Sequence, residues 1–141
     1  MNRYLIICIL LFCISASSQE VIGTWVTVDD NTKEKKSVVE IFERDEEIFG
    51  RIIEIFDDSK KNLPCIYCKG ADYNKPILGL EIIKNMKKDG KYFRHGTVVN
   101  PENGKTYKLR LALDRDNSNL LQVRGYFGFL YRTQYWERLK K

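Results

Sequence analysis

The stretch Thr106-Tyr107-Lys108-Leu109-Arg110-Leu111-Ala112-Leu113 puts Tyr107, Leu109, Leu111 and Leu113 on one face and Lys108 and Arg110 on the other. A period of two is the mark of a half-buried β-strand, because successive side chains point to opposite faces of a sheet. Just before it, Asn100-Pro101-Glu102-Asn103-Gly104 holds a hairpin turn, since Asn-Gly accepts the positive φ that tight turns need. The same grammar continues in both directions. Upstream lie β-rich runs at Val21–Asp29, Ser37–Arg44, Ile48–Asp57, Ile77–Met86 and Lys91–Val99, and downstream Leu120–Phe127 and Phe129–Arg138. Turn residues separate them: Asp30-Asn31-Thr32-Lys33, Asp45-Glu46-Glu47 and Lys87-Lys88-Asp89-Gly90. Ile77–Met86 has a helical alternative, but Gly79 and the β-branched pair Ile82-Ile83 favour a strand. Eight runs rich in Val, Ile, Phe, Tyr and Thr predict an all-β fold. Antiparallel strands of this length remove their exposed edges by closing, so the expectation is an eight-stranded up-and-down barrel. Several runs are apolar on both faces, and pattern alone does not say which face points inward.

Composition agrees with one domain. The chain has 141 residues, 43% of them hydrophobic and 12% aromatic, which supplies a core and excludes both disorder and a fibrous repeat. Residues 1–18 read differently. Arg3 precedes an apolar run from Tyr4 to Ile14, followed by Ser15-Ala16-Ser17-Ser18, the pattern of a secretory leader cleaved before Gln19. The run is shorter than the roughly 20 residues of a membrane span. Processing as a lipoprotein at Cys13 would want a small preceding residue, and Phe12 is bulky. Removing the leader leaves a single barrel domain over residues 19–141 with Cys65 and Cys68 as its cysteines, destined for the periplasm or the exterior. The leader takes Arg3 and no acid with it, so the net charge of +5 falls by only one. The basic residues are dispersed, with no stripe of interleaved aromatics, which argues against nucleic acid as a partner.

Gly23-Thr24-Trp25 on the first run and Trp136-Glu137-Arg138 on the last resemble the lipocalin-like (calycin) pattern. A wider series occurs in order: Lys36-Ser37-Val38-Val39-Glu40-Ile41, Gly50-Arg51-Ile52, Cys65-x-x-Cys68, Gly79-Leu80, Asn100-Pro101-x-Asn103-Gly104-Lys105-x-Tyr107, Val123-Arg124-Gly125-Tyr126-x-Gly128 and Arg132-Thr133-Gln134-x-Trp136. Together these are similar to the bacterial secreted family known as domain of unknown function twenty-one forty-seven, over residues 21–139. The resemblance implies an exported lipocalin-like barrel in which Arg138 packs on Trp25 and closes one end. It implies no reaction. Asn100 departs from the Asp expected before the proline, so no role needing a charge follows there.

Three groups of residues invite chemistry. Cys65-Ile66-Tyr67-Cys68, in an exported chain with an even cysteine count, reads as a disulfide closing a small loop. A redox-active pair would want a helix N-terminus or basic neighbours, of which only Lys69 and Lys60-Lys61 are at hand. Structural zinc would want two more ligands than the pair supplies. His95 is the sole histidine, in a strand context (Phe93-Arg94-His95-Gly96) that suggests a surface or barrel-mouth position, and no partner orients it as a base. The third group is the C-terminal one. Arg124 and Tyr126 share one face of their run; Arg132, Gln134, Trp136 and Arg138 share one face of the next. If both faces point inward, guanidiniums, a phenol and an amide converge in the barrel, and Arg124-Gly125-Tyr126 is similar in form to the Arg-x-Tyr pair with which fatty-acid-binding barrels grip a carboxylate. The alternative is that these groups pair with Glu40, Glu54 or Glu81 of neighbouring strands, or cap the barrel end.

Two functions follow. One is a non-enzymatic, cofactor-free barrel binding a small amphipathic or anionic molecule, with Arg124, Tyr126, Arg132 and Gln134 on its polar head and Trp25 and Trp136 shaping the floor. The other is an envelope interaction module with a filled interior that uses its outer face or the Cys65–Cys68 loop. The first demands an enclosed pocket of at least about 300 Å³ touching Arg124 or Arg132. The second demands a solid interior with both arginines on carboxylates of the same chain.

Overall fold

The computed structural model describes residues 21–140, so the leader reading for residues 1–18 lies outside the described residues. Eight antiparallel strands follow one another around a closed barrel: β1 (Gly23–Val28), β2 (Lys35–Arg44), β3 (Glu47–Ile55), β4 (Glu81–Asp89), β5 (Tyr92–Val99), β6 (Thr106–Leu113), β7 (Leu120–Phe127) and β8 (Leu130–Arg138). β1 meets β8 through Trp25↔Arg138 and Val26↔Glu137, and the Leu139 amide donates to the Thr24 carbonyl at 2.9 Å. The expected architecture is therefore the observed one. β6 and β7 span the expected residues, while β4 begins four residues later than expected. Ile77–Leu80 form a bend instead, because Pro76 and Gly79 (φ +92°) break the extended run.

The up-and-down order sends alternate connections to opposite ends. The turns after β2, β4 and β6 lie at one end with Trp25 and Arg138; the connections after β1, β3, β5 and β7 lie at the other. The core is concentrated towards the first end, where Trp25, Ile41, Ile83, Met86, Leu111 and Leu121 are fully buried. The Trp25 indole donates to the Val21 carbonyl at 2.8 Å, and the Arg138 guanidinium lies 4.3 Å from the indole ring. Burying the ring removes apolar surface from water, and the cation over its face adds attraction in a site that excludes water. Gly23 makes the arrangement possible. Its φ is +144°, and a Cβ there would sit 3.2 Å from an Arg138 Nη atom, so the Gly-x-Trp motif has a steric reason.

The connection between β3 and β4, residues 56–80, is the long one, and it is stitched to the barrel. Cys65 and Cys68 form a disulfide and are buried in the core cluster. The Cys65 amide donates to Lys75 O at 2.7 Å, Asn74 N donates to Cys65 O at 2.9 Å, and the Lys84 ammonium bonds Asp72 at 2.6 Å. That ammonium holds the Asp72 carboxyl below the usual carboxylate range. Gly104, at φ +71° in the β5–β6 turn, packs so closely on the Tyr67 carbonyl that no Cβ fits between them. The Asn103-Gly104 turn thus serves both the hairpin and the docking of the disulfide loop. The side chain of Asn100 accepts the Glu102 amide at 2.9 Å, a turn bond that an amide oxygen makes without any charge.

Replacing both Cys65 and Cys68 by Ala is expected to cost about 2 kcal/mol, since so short a closed loop restricts the unfolded chain only modestly. Urea denaturation of the pair of proteins measures it. Alkylation without reductant is expected to label neither thiol of the native protein, and labelling of both would reverse the assignment.

Candidate functional site

On β8 the alternation turns Leu130, Arg132, Gln134, Trp136 and Arg138 towards the barrel axis and Thr133, Tyr135 and Glu137 outward. Above the packed core the first four of these inward residues line a cavity of about 910 Å³, open at the end that carries the disulfide loop. Its walls are apolar: Ile52, Ile55, Val98, Leu109 and Val123, with Trp136 shared between the cavity and the core beneath. Gly125 leaves room in the wall of β7, where the nearest atom to a Cβ placed on it is that of Tyr107 at 3.7 Å. Polar groups gather at the rim. Arg132 Nε donates to Asp30 Oδ2 at 2.7 Å, and Lys36 bridges Glu102 at 3.1 Å and Asp29 at 3.8 Å. Asp29 accepts the Asn31 and Thr32 amides at 2.8 and 3.0 Å, and these two donors, the Thr32 amide foremost, hold its carboxyl below the usual range. Deeper in, Gln134 accepts from the Trp136 indole at 3.3 Å, which leaves the Gln134 amide donors without a partner among the described residues.

Of the residues singled out from the sequence, the cavity brings together Arg132, Gln134 and Trp136, and Trp25 and Arg138 close the core below. Arg124 and Tyr126 are a correction: they lie outside. Register decides this. Val123 pairs with Gln134 and Arg124 with Thr133, so an inward Gln134 fixes an inward Val123 and an outward Arg124. Arg124 Nε donates to Thr133 Oγ1 at 2.8 Å, its guanidinium stacks 4.5 Å from the Tyr131 ring, and Tyr126 packs against the same tyrosine. The expected carboxylate partners are also elsewhere, with Glu40 on Arg51 and Glu81 on Arg44. Arg132 touches a large cavity, as the first function demands, and is also bonded to a carboxylate of its own chain; the solid interior that the second function demands is not found, and Arg124 is bonded to a threonine instead.

The residues that the sequence did not single out come mostly from loops. Ile66 and Tyr67 of the disulfide loop, Leu63 and Lys60 before it, and Lys36 at the foot of β2 all edge the mouth. Tyr107 was legible, because it opens the alternating face of β6 that points inward. His95 is exposed at a bulge in β5 with φ +68°, its Nε2 3.5 Å from Asp89 Oδ2, and it does not line the cavity. Among the described residues no three His, Cys, Asp or Glu side chains converge as metal ligands.

Residues 23–138 match a family described as an uncharacterized protein conserved in bacteria, DUF2147. Among solved structures the chain is similar to Helicobacter pylori protein HP1028, described as belonging to the lipocalin family. The two share 25% identity and a TM-score of 0.72 over 86% of this chain and 84% of that one. A search of curated proteins returned no match.

Proposed function

The chain belongs to the DUF2147 family of proteins conserved in bacteria, and on that premise we propose that it is an exported, non-enzymatic carrier of a small amphipathic molecule. The observation that carries the reading is the cavity of about 910 Å³, apolar in its walls and polar at its rim. It lies within the range of ordinary small-molecule sites. An acyl or aromatic portion would fill the space between Ile52, Val98, Leu109 and Val123 and rest on Trp136, driven by removal of apolar surface from water. A polar head would meet the free donors of Gln134 and, at the rim, Arg132 and Lys36. Both rim cations already hold carboxylates of the chain, so a ligand oxygen gains directed donors without requiring a buried charge to be neutralised. Within the lumen, the Thr27 and Ser37 hydroxyls bond each other at 2.7 Å.

An 11-(dansylamino)undecanoic acid titration tests this. Saturable one-to-one binding with a blue-shifted emission is expected, weakened about tenfold in an Arg132→Ala/Gln134→Ala protein, the loss of one or two hydrogen bonds to a bound head group. Absence of saturable binding would overturn the reading.

A second reading, an envelope interaction module, is favoured by the outer face. Strands β5, β6 and β7 contain no Asp or Glu, yet they present Arg94, Lys108, Arg110 and Arg124. Arg94 and Arg110 stack on Tyr92 at 4.6 and 4.4 Å. On β2 and β3, by contrast, Arg44 and Arg51 are each matched by a glutamate. Arg and Tyr are the residues from which strong protein contacts are most often built.

A further inference from the structure

The large apolar side chains left in water are concentrated at the open end. Phe127, Leu130 and Tyr131 are each 62% exposed and Phe129, at the tip of the β7–β8 hairpin, is 94% exposed. Leu63, Ile66 and Tyr67 of the connection between β3 and β4 join them on the opposite side of the same mouth. Single exposed hydrophobics are ordinary, but several of them gathered around one opening mark a surface that meets something apolar. The charges around it are mixed in sign. Asp29 and Glu102 hold Lys36, Asp30 holds Arg132, and Asp58 holds Lys61. Lys105, whose ammonium lies 6.0 Å from the Phe127 ring, has no ion pair among the described residues, while Lys60 lies at the mouth within electrostatic reach of Asp57, which lines the mouth together with Glu34.

We propose that this rim docks on a membrane surface bearing anionic lipid headgroups, with the Phe127–Tyr131 tip entering the interfacial layer and Lys60 and Lys105 on the headgroup phosphates. Aromatic and aliphatic side chains flanked by lysines are the composition that partitions into that layer. The cavity itself selects a fluid occupant. A rigid protein lid across the mouth would leave a void over the opening, whereas acyl chains fill an irregular apolar surface and continue into the lumen. Docked this way, the lumen opens into lipid, and an amphipathic molecule could pass between bilayer and barrel without crossing water. Docking itself does not require an occupied cavity, so it stands apart from the carrier reading.

Sedimentation with sucrose-loaded vesicles tests it, using the protein in its exported form. Vesicles of phosphatidylglycerol and phosphatidylcholine are expected to retain the protein at least tenfold better than phosphatidylcholine alone. A Phe129→Asp/Lys105→Glu protein, altered at two exposed positions outside the cavity lining, is expected to lose that retention while binding 11-(dansylamino)undecanoic acid in solution as before. Lack of retention on either vesicle overturns the proposal, as does undiminished retention of the double variant, whatever the dansyl probe does. Failure of the probe alone bears on the carrier reading and leaves docking standing.

Discussion

Trp25→Ala is expected to lower the free energy of unfolding by about 3–5 kcal/mol, the usual cost of emptying a buried aromatic site. Three losses combine. The ring is fully buried, so its removal leaves a cavity that a closed barrel cannot easily collapse into. The Val21 carbonyl loses the donor that it holds at 2.8 Å. The Arg138 guanidinium, now 4.3 Å above the ring, loses its stacking partner at the very pair where β1 meets β8. Total stability for a domain of this size is typically about 5–15 kcal/mol, so the change removes a large fraction of it. Urea unfolding monitored by far-ultraviolet circular dichroism measures the loss. Trp25→Phe keeps most of the apolar contact but no donor, and is expected to fall between. A cost for Trp25→Ala below about 1 kcal/mol would mean that the closing pair is not what holds the first and last strands together.

The second large effect concerns binding. Gly125→Phe is expected to reduce affinity for 11-(dansylamino)undecanoic acid about a hundredfold or more with little change in stability. Gly125 faces the lumen between Val123 and Phe127, beside Tyr107, and a Cβ there meets only ordinary van der Waals contact. A benzyl group on that Cβ would project into the space an acyl chain needs. Glycine inside a strand also carries an entropic penalty, so the substitution offers the fold a small gain. Unchanged affinity in a folded Gly125→Phe protein would place the probe somewhere other than the lumen. A drop in affinity accompanied by unfolding would instead be recognised in the circular dichroism spectrum.

How much of this could be read from the residues alone depends on where local pattern and long-range register part company. The barrel was legible because turn chemistry and period-two alternation agree at β6 and its flanking Asn-Gly turn. The closing pair was legible because Gly23, Trp25 and Arg138 each have a steric or electrostatic reason to be what they are. Arg124 and Tyr126 misled because β7 carries apolar side chains on both faces, and Gly125, the true inward position between them, has no side chain to declare itself. The alternation of β6 held the correction in principle. Leu109 faces Gly125 and Leu111 faces Val123, so the inward phase of β7 follows once that pairing is known, but pairing across a six-residue connection is not a local property. The mouth was less legible still. Leu63, Ile66 and Tyr67 reach it through the stitched connection of residues 56–80, whose path is set by contacts with Lys84 on the next strand and with Gly104 further along the chain.

Because β1 and β8 are neighbours and their outer ends lie on the sealed side, anything appended beyond Arg138 projects away from the opening. A fluorescent reporter or a surface anchor can be fused there without obstructing entry to the lumen. The same adjacency makes the barrel a natural subject for circular permutation, with a short bridge joining the old ends and a new break placed in an exposed turn.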